Sequence, residues 1–116
     1  MTEREFAAFN DYQNRATRLA IYSDEHRIIY PAMGLASEAG EVLGKIKKQL
    51  RDHSSASRFS PEAKWEIADE IGDVLWYLAA LCHDLGTPLE AVASRNLEKL
   101  NSRLERGVLG GSGDNR

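Results

Sequence analysis

Residues 60–90 read SPEAKWEIADEIGDVLWYLAALCHDLGTPLE. Ser60 followed by Pro61 and Glu62 is a helix start. The serine oxygen can accept from a free N–H of the first turn, and proline lacks the donor that would go unpaired there. Ile67, Ile71, Val74, Leu75, Leu78 and Leu81 then recur at helical spacing, and the segment runs to about Leu85. Gly86 is a helix stop, because glycine takes left-handed backbone at no steric cost. Thr87-Pro88-Leu89-Glu90 opens a further helix with the signature of a capping box. The turn between the two is tight, so they are expected to be antiparallel neighbours.

Outward from this stretch the pattern stays helical. The last helix runs to about Arg106, before Gly107, and residues 108–116 form a glycine-rich tail. Upstream, residues 51–57 are polar and read as a loop. Before that loop a helix is predicted from just after Pro31 to about Leu50, with Leu35, Val42, Ile46 and Leu50 as its apolar stripe and Leu43 beside it. The first segment, from about Glu3 to Tyr22, carries Phe6, Phe9, Tyr12, Ala16, Leu19 and Ala20 at helical spacing. No segment alternates with period two. The reading is one all-α domain over residues 1–107, four-helix bundle-like, followed by the tail at 108–116.

Composition narrows the function. A chain of 116 residues makes one domain, and 42% apolar with 28% charged residues excludes intrinsic disorder. Fifteen Lys and Arg against 18 Asp and Glu leave a net charge of -3, which argues against a nonspecific nucleic-acid binder. Cys82 is the sole cysteine, so no intrachain disulfide can form, and a reducing cytoplasm is expected. The start of the chain lacks the apolar core of a signal peptide, and no apolar run approaches the roughly 20 residues of a membrane span.

The chemistry lies in the carboxylates. Glu66, Asp69, Glu70 and Asp73 share an arc of about 100° on the third helix, beside the apolar arc rather than opposite it. Glu38 and Glu41 stand one turn apart on the second helix and border Leu35, Val42 and Ile46. Like charges so placed repel, and low dielectric makes this costly unless a cation neutralises them. Oxygen-only ligands suit Mg²⁺ or Mn²⁺ rather than zinc. The plain alternative is a pair of solvated acidic flanks. No Glu-x-x-His pair is present, so the di-iron bundle pattern is missing.

Glu38-x-x-Glu41 followed by Glu70-x-x-Asp73 resembles the MazG-type nucleoside triphosphate pyrophosphohydrolases, of the all-α NTP pyrophosphatase superfamily. The likeness extends to Gly34-Leu-Ala-Ser-Glu-Ala-Gly-Glu-Val-Leu, to Glu70-Ile-Gly-Asp73-Val-Leu-Trp-Tyr-Leu-Ala and to Asn96-Leu-Glu-Lys99-Leu-Asn-Ser-Arg103. The ending Gly113-Asp114-Asn115-Arg116 is similar to tails in some small MazG-like proteins. The resemblance spans about residues 32–107 plus the tail. It implies that Glu38, Glu41, Glu70 and Asp73 hold Mg²⁺ and form the catalytic group, with Glu41 or Glu38 as a candidate general base. It implies hydrolysis of a nucleoside triphosphate to monophosphate and pyrophosphate, in nucleotide-pool housecleaning or in dedicated phage or host nucleotide control. It assigns Lys99 and Arg103, and more weakly Asn96, to the substrate. A homo-dimer or homo-tetramer is expected, with active sites at or near a helix-bundle interface.

Other motifs weigh less. Arg95, Lys99, Arg103 and Arg106 share one arc, which without the resemblance reads as a solvated stripe. Lys45 shares the arc of Glu38 and Glu41 and could pair with them or meet phosphate. Trp65, Trp76 and Tyr77 are expected to pack in the core, and Phe6, Phe9 and Tyr12 to anchor the core or an interface. His83-Asp84 suggests an HD phosphohydrolase, but only His26 and His53 remain as further histidines, both in loops. The tail reads as a flexible end or as a flap that closes over phosphates through Arg116. Two rival classes keep the fold without turnover: a nucleotide-binding sensor and a helical oligomerisation module.

Overall fold

The computed structural model describes the backbone of residues 3–116 and side chains from residue 8 onward, so the expectation for Phe6 lies outside the described side chains. Four helices follow in order: α1 (Glu3–Thr17), α2 (Ile29–Asp52), α3 (Pro61–Asp84) and α4 (Leu89–Glu105). A single 3₁₀ turn, Asp24–His26, precedes α2, and the described residues contain no strand. Helix α3 is the common neighbour: α2, α1 and α4 all pack on it, and α1 also meets α4.

Helix α3 begins as read, with Ser60 Oγ accepting from Ala63 N at 3.2 Å and Pro61 in the first turn. It ends at Gly86, whose φ of +70° lets the chain fold back. Gly86 N donates to His83 O and Thr87 N to Cys82 O, at 2.9 and 2.8 Å. Helix α4 stops the same way at Gly107, φ +72°.

The start of α4 departs from expectation. Its cap position is Pro88, and no side chain of its own caps it. Thr87 Oγ1 turns back to Leu85 O instead. The cap arrives from α1: Gln13 Oε1 accepts from Leu89 N at 2.9 Å, while its Nε2 donates to Ala79 O and Thr87 O. Gln13 is buried, and this one amide ties α1 to both α3 and α4.

Two helix boundaries also differ. Helix α1 ends at Thr17, five residues short of Tyr22. Helix α2 starts ahead of Pro31, because a proline in the first turn removes only a donor that has no partner there. Asp84, whose side chain is 3% exposed, explains the irregular path between them. It accepts from Tyr22 Oη and from Ile28 N, both at 2.9 Å, and faces Arg27 Nε at 3.5 Å. Tertiary bonds thus override the helical tendency of Leu19-Ala20. Burial and the Asp84 bond push the Tyr22 hydroxyl up to about 12.

The core is small and built from small residues. Ala16, Ala79 and Leu89 form its centre, with Tyr12, Trp76 and Cys82 packed around them. Trp76 Nε1 donates to Ala16 O at 3.0 Å. Trp65 does not share in this core: it is 72% exposed, against expectation. Ile71, Leu75 and Leu78 on α3 and Leu50 on α2 are likewise exposed, and Leu75 lines an open cavity with Ala8, Phe9 and Tyr12 of α1. The radius of gyration is 17.3 Å, well above the roughly 13 Å of a compact domain near this size. No helix among the described residues is long and apolar enough to cross a membrane.

The tail folds on itself rather than running free. The Arg116 guanidinium donates to the carbonyls of Val108, Leu109, Gly110 and Gly113. Arg103 Nη2 donates to Asp114 O at 2.8 Å and Arg106 Nη2 to Arg116 O at 2.9 Å, which seats the loop on the end of α4.

Candidate metal centre

Helices α2 and α3 form an antiparallel hairpin, so residues ascending on one meet residues descending on the other. Gly34 meets Tyr77, and Glu38 meets Glu70 and Asp73. Carboxylate oxygens of Glu38, Glu70 and Asp73 lie within 4.8 Å of one another. Glu38 and Glu70 are half-buried, and Asp73 is exposed. The sequence pattern grouped four acids, and the structure draws three of them into one cluster. Glu41, on the next turn of α2, is exposed and outside that close group.

The cluster is electrostatically loaded. The Glu38 carboxyl is pushed above the usual range by desolvation and by the charges of Asp73, Glu70 and Glu41. One basic side chain among the described residues pairs with the trio: Lys45 Nζ lies 3.8 Å from Glu70 Oε1. The partners expected for Lys45 are Glu38 and Glu41 on its own helix; its partner is instead Glu70, across the hairpin. Tyr12 of α1 stands close enough to Asp73 for that charge to raise its hydroxyl pKa, after burial itself. Tyr77 is raised by burial, by Tyr30 and by the charges of Glu38 and Asp73.

The donor set fits a hard divalent cation. Three carboxylates on two rigid helices offer only oxygen and carry more negative charge than Lys45 offsets, as Mg²⁺ or Mn²⁺ requires. The residues expected to meet substrate lie elsewhere on the surface. Asn96 and Lys99 line an open cavity of about 400 Å³ on α4, together with Val92 and Arg95. Arg103 is buried and spends its guanidinium on the tail.

Residues 31–108 match the family described as the MazG nucleotide pyrophosphohydrolase domain. The chain belongs to the MazG family. The match covers α2, α3 and α4 and so includes the whole carboxylate cluster. The chain is also similar to the Gene 37 protein of Mycobacterium phage L5, at 43% identity over 90% of this chain and 96% of that protein. A second relative, the uncharacterized protein YvdC of Bacillus subtilis (strain 168), is 34% identical over 61% of this chain and 70% of its own length. No solved structure matches. MazG domains are in general nucleotide pyrophosphohydrolases that use a divalent metal, and the acidic cluster here is a group able to hold one.

Sequence reasoning passed over several residues that build this MazG site. Tyr77 shares the acidic arc one turn after Asp73 but is expected to pack, as is Tyr12, and carboxylate charge raises the hydroxyl pKa of both. Gly34 carried no distinguishing signal, since Gly40, Gly44 and Gly72 also lie inside these helices and face open space. Gln13 and Asp84 carried none, because their partners lie far along the chain.

Proposed function

We propose that this MazG domain hydrolyses nucleoside triphosphates, ribo- or deoxyribonucleotides, to the monophosphate and pyrophosphate, with Mg²⁺ as the working cation and Mn²⁺ as a substitute. The observation that carries the reading is the meeting of Glu38, Glu70 and Asp73 within 4.8 Å in a chain of this family. Glu38, Glu70 and Asp73 would hold the divalent cation, which when bound would offset phosphate charge and supply Lewis acidity toward a phosphoryl oxygen.

The chain's own residues do the rest. Glu38, Glu70 and Asp73 hold the cation from two helices. Glu41 stands just outside the trio, and we assign it the proton of the water that attacks phosphorus, with the pyrophosphate oxygen as leaving group. Asn96 and Lys99 stand apart from the carboxylates within one chain, and we assign them an amide and a cation for the polyphosphate across the subunit contact of an oligomer. Arg103 serves the same region at one remove, by seating the tail.

A homo-dimer or homo-tetramer completes the reading. Support comes from the exposed apolar row Ile71, Leu75 and Leu78 on α3, and Val92 and Leu100 on α4. Such rows mark protein contacts when they are contiguous. The single cysteine accords with a reducing cytoplasm as the place of action.

The deciding experiment is a panel of ribo- and deoxyribonucleoside triphosphates with Mg²⁺, products resolved by chromatography, and Asp73→Asn as control. Monophosphate and pyrophosphate in equal amounts, absent with the variant, are expected. No turnover across the panel, or turnover that survives Asp73→Asn, would remove the assignment. Glu41→Gln is expected to lower kcat while leaving Mn²⁺ affinity near that of the wild type. Light scattering at working concentration tests the oligomer, which a fully active monomer would refute.

A further inference from the structure

Four glycines lie inside the long helices α2 and α3: Gly34, Gly40, Gly44 and Gly72. A Cβ added at Gly40, Gly44 or Gly72 would meet nothing within 4 Å. A Cβ at Gly34 would overlap the ring of Tyr77, at its Cε1, Cδ1 and Cζ atoms. The Tyr77 ring therefore lies flush on the α2 backbone, in the space a side chain would take. Glycine in a helix costs about 0.5–1 kcal/mol relative to alanine, and at Gly34 this cost brings a close approach of the two helices.

That approach lies next to the carboxylates. Gly34 is one turn before Glu38 on α2, and Tyr77 is one turn after Asp73 on α3. A helix is rigid over one turn of about 5.4 Å, so the separation at Gly34 and Tyr77 sets the separation at Glu38 and Asp73. Asp73 has the short side chain of the trio and tolerates the least widening.

The Tyr77 ring is itself braced. Its ring lies 6.4 Å from that of Tyr30, tilted by 47°. Tyr30 stacks on Tyr22 with ring centroids 4.9 Å apart, and Tyr22 is held by buried Asp84. Trp76 stands edge-on to Tyr77 with ring centroids 5.0 Å apart. With Tyr30 and Trp76 against it, the ring has neighbours to displace before it can admit a methyl group at Gly34.

We propose that Gly34 and Tyr77 form a spacer that positions the carboxylate trio and thereby sets its affinity for a divalent cation. Neither residue is a ligand. The inference rests on the metal reading of the site given above, and goes beyond it by naming what holds the two helices at binding distance.

The test measures Mn²⁺ binding to the full chain by electron paramagnetic resonance, with helicity followed by circular dichroism. Gly34→Ala is expected to weaken Mn²⁺ binding at least about tenfold, the lower end of the cost of losing a residue that orients metal ligands, with helicity retained. Tyr77→Phe keeps the ring and is expected to stay within about threefold of the wild type, since the proposal assigns the spacing to the ring. Adding Tyr77→Ala to Gly34→Ala relieves the overlap and is expected to recover part of the lost affinity. A merely structural role would instead make the double variant worse than either single one.

Wild-type affinity in Gly34→Ala would overturn the spacer. So would a double variant that binds no better than Gly34→Ala. If Gly34→Ala does not fold, Tyr77→Leu against Tyr77→Phe decides: equal Mn²⁺ affinity in those two overturns the proposal. A wild-type chain that binds no Mn²⁺ would overturn the metal reading itself, and the spacer with it. That failure is distinct from one in which the wild type binds and the Gly34 variant binds equally.

Discussion

The two sides of α3 are built on opposite plans. Toward α1 and α4, α3 buries Ala79 and Ala80 completely and is crosslinked by Gln13 and by the Trp76 indole. Toward α2, it presents acids at the edge of an open hairpin. The first side satisfies polar groups and excludes water. The second concentrates like charge and is relieved, within the chain, by Lys45 alone among the described basic residues. The contrast separates where the fold is held from where a cation and substrate can bind. Unrelieved charge is tolerable on the second side because the first supplies the anchorage.

The sharpest way to break this division is a pair of substitutions, one on each side. Glu70→Gln should reduce turnover by more than the roughly 10–100-fold typical of losing an outer-shell partner of a metal, with little change in thermal midpoint. Gln13→Ala should do the reverse. It removes a cap for Leu89 and leaves two carbonyls short of a donor, a loss of about 2–3 kcal/mol. A fall of roughly 10 °C in thermal midpoint is expected, with kcat per folded molecule unchanged. Calorimetry and steady-state rates on both variants check this, and a shared pattern in the two would dissolve the division.

A smaller effect concerns the charge itself. Glu38 binds its proton more tightly in the folded chain than in the unfolded one, so its contribution favours the fold below its ordinary pKa. That contribution is lost as pH rises through the raised folded value. Above that pH, without divalent metal, Glu38→Gln should therefore raise the thermal midpoint. The gain should shrink as pH falls into the acid range and when Mg²⁺ is added. A lower midpoint for the variant at neutral pH would show that the cluster is not strained by its own charge.

The smallest effect sharpens the view of the open side. Gly40 faces free space, so Gly40→Ala should stabilise by about 0.5–1 kcal/mol through helix propensity alone. A thermal scan reads this directly. A drop in midpoint, or a change in oligomer size by light scattering, would mean that another chain covers this face.

Much of the plan was legible in the local sequence. Ser60-Pro61 and Gly86 marked α3 to within a residue, because caps and breakers act through neighbouring backbone. Apolar spacing marked four helices, and the paired acids marked the site. The ends of α1 and the cap of α4 were not legible. Leu19-Ala20 has helical character, yet the chain leaves the helix because Asp84, far along the chain, takes Tyr22 and Ile28 N. Thr87 has the residues of a capping box around it, yet Gln13 performs that task. Trp65 matched an apolar helix by type, and its 72% exposure follows from having no described element over it.

The sequence by itself determined the class, four helices with acids bordering two apolar stripes, since periodicity and capping depend on residues within a turn of one another. Only the tertiary structure decided which acids meet. Glu38, Glu70 and Asp73 converge and Glu41 stands apart because hairpin register, set where Tyr77 lies on Gly34, is a matter of how two helix surfaces fit, and no spacing along one helix contains it.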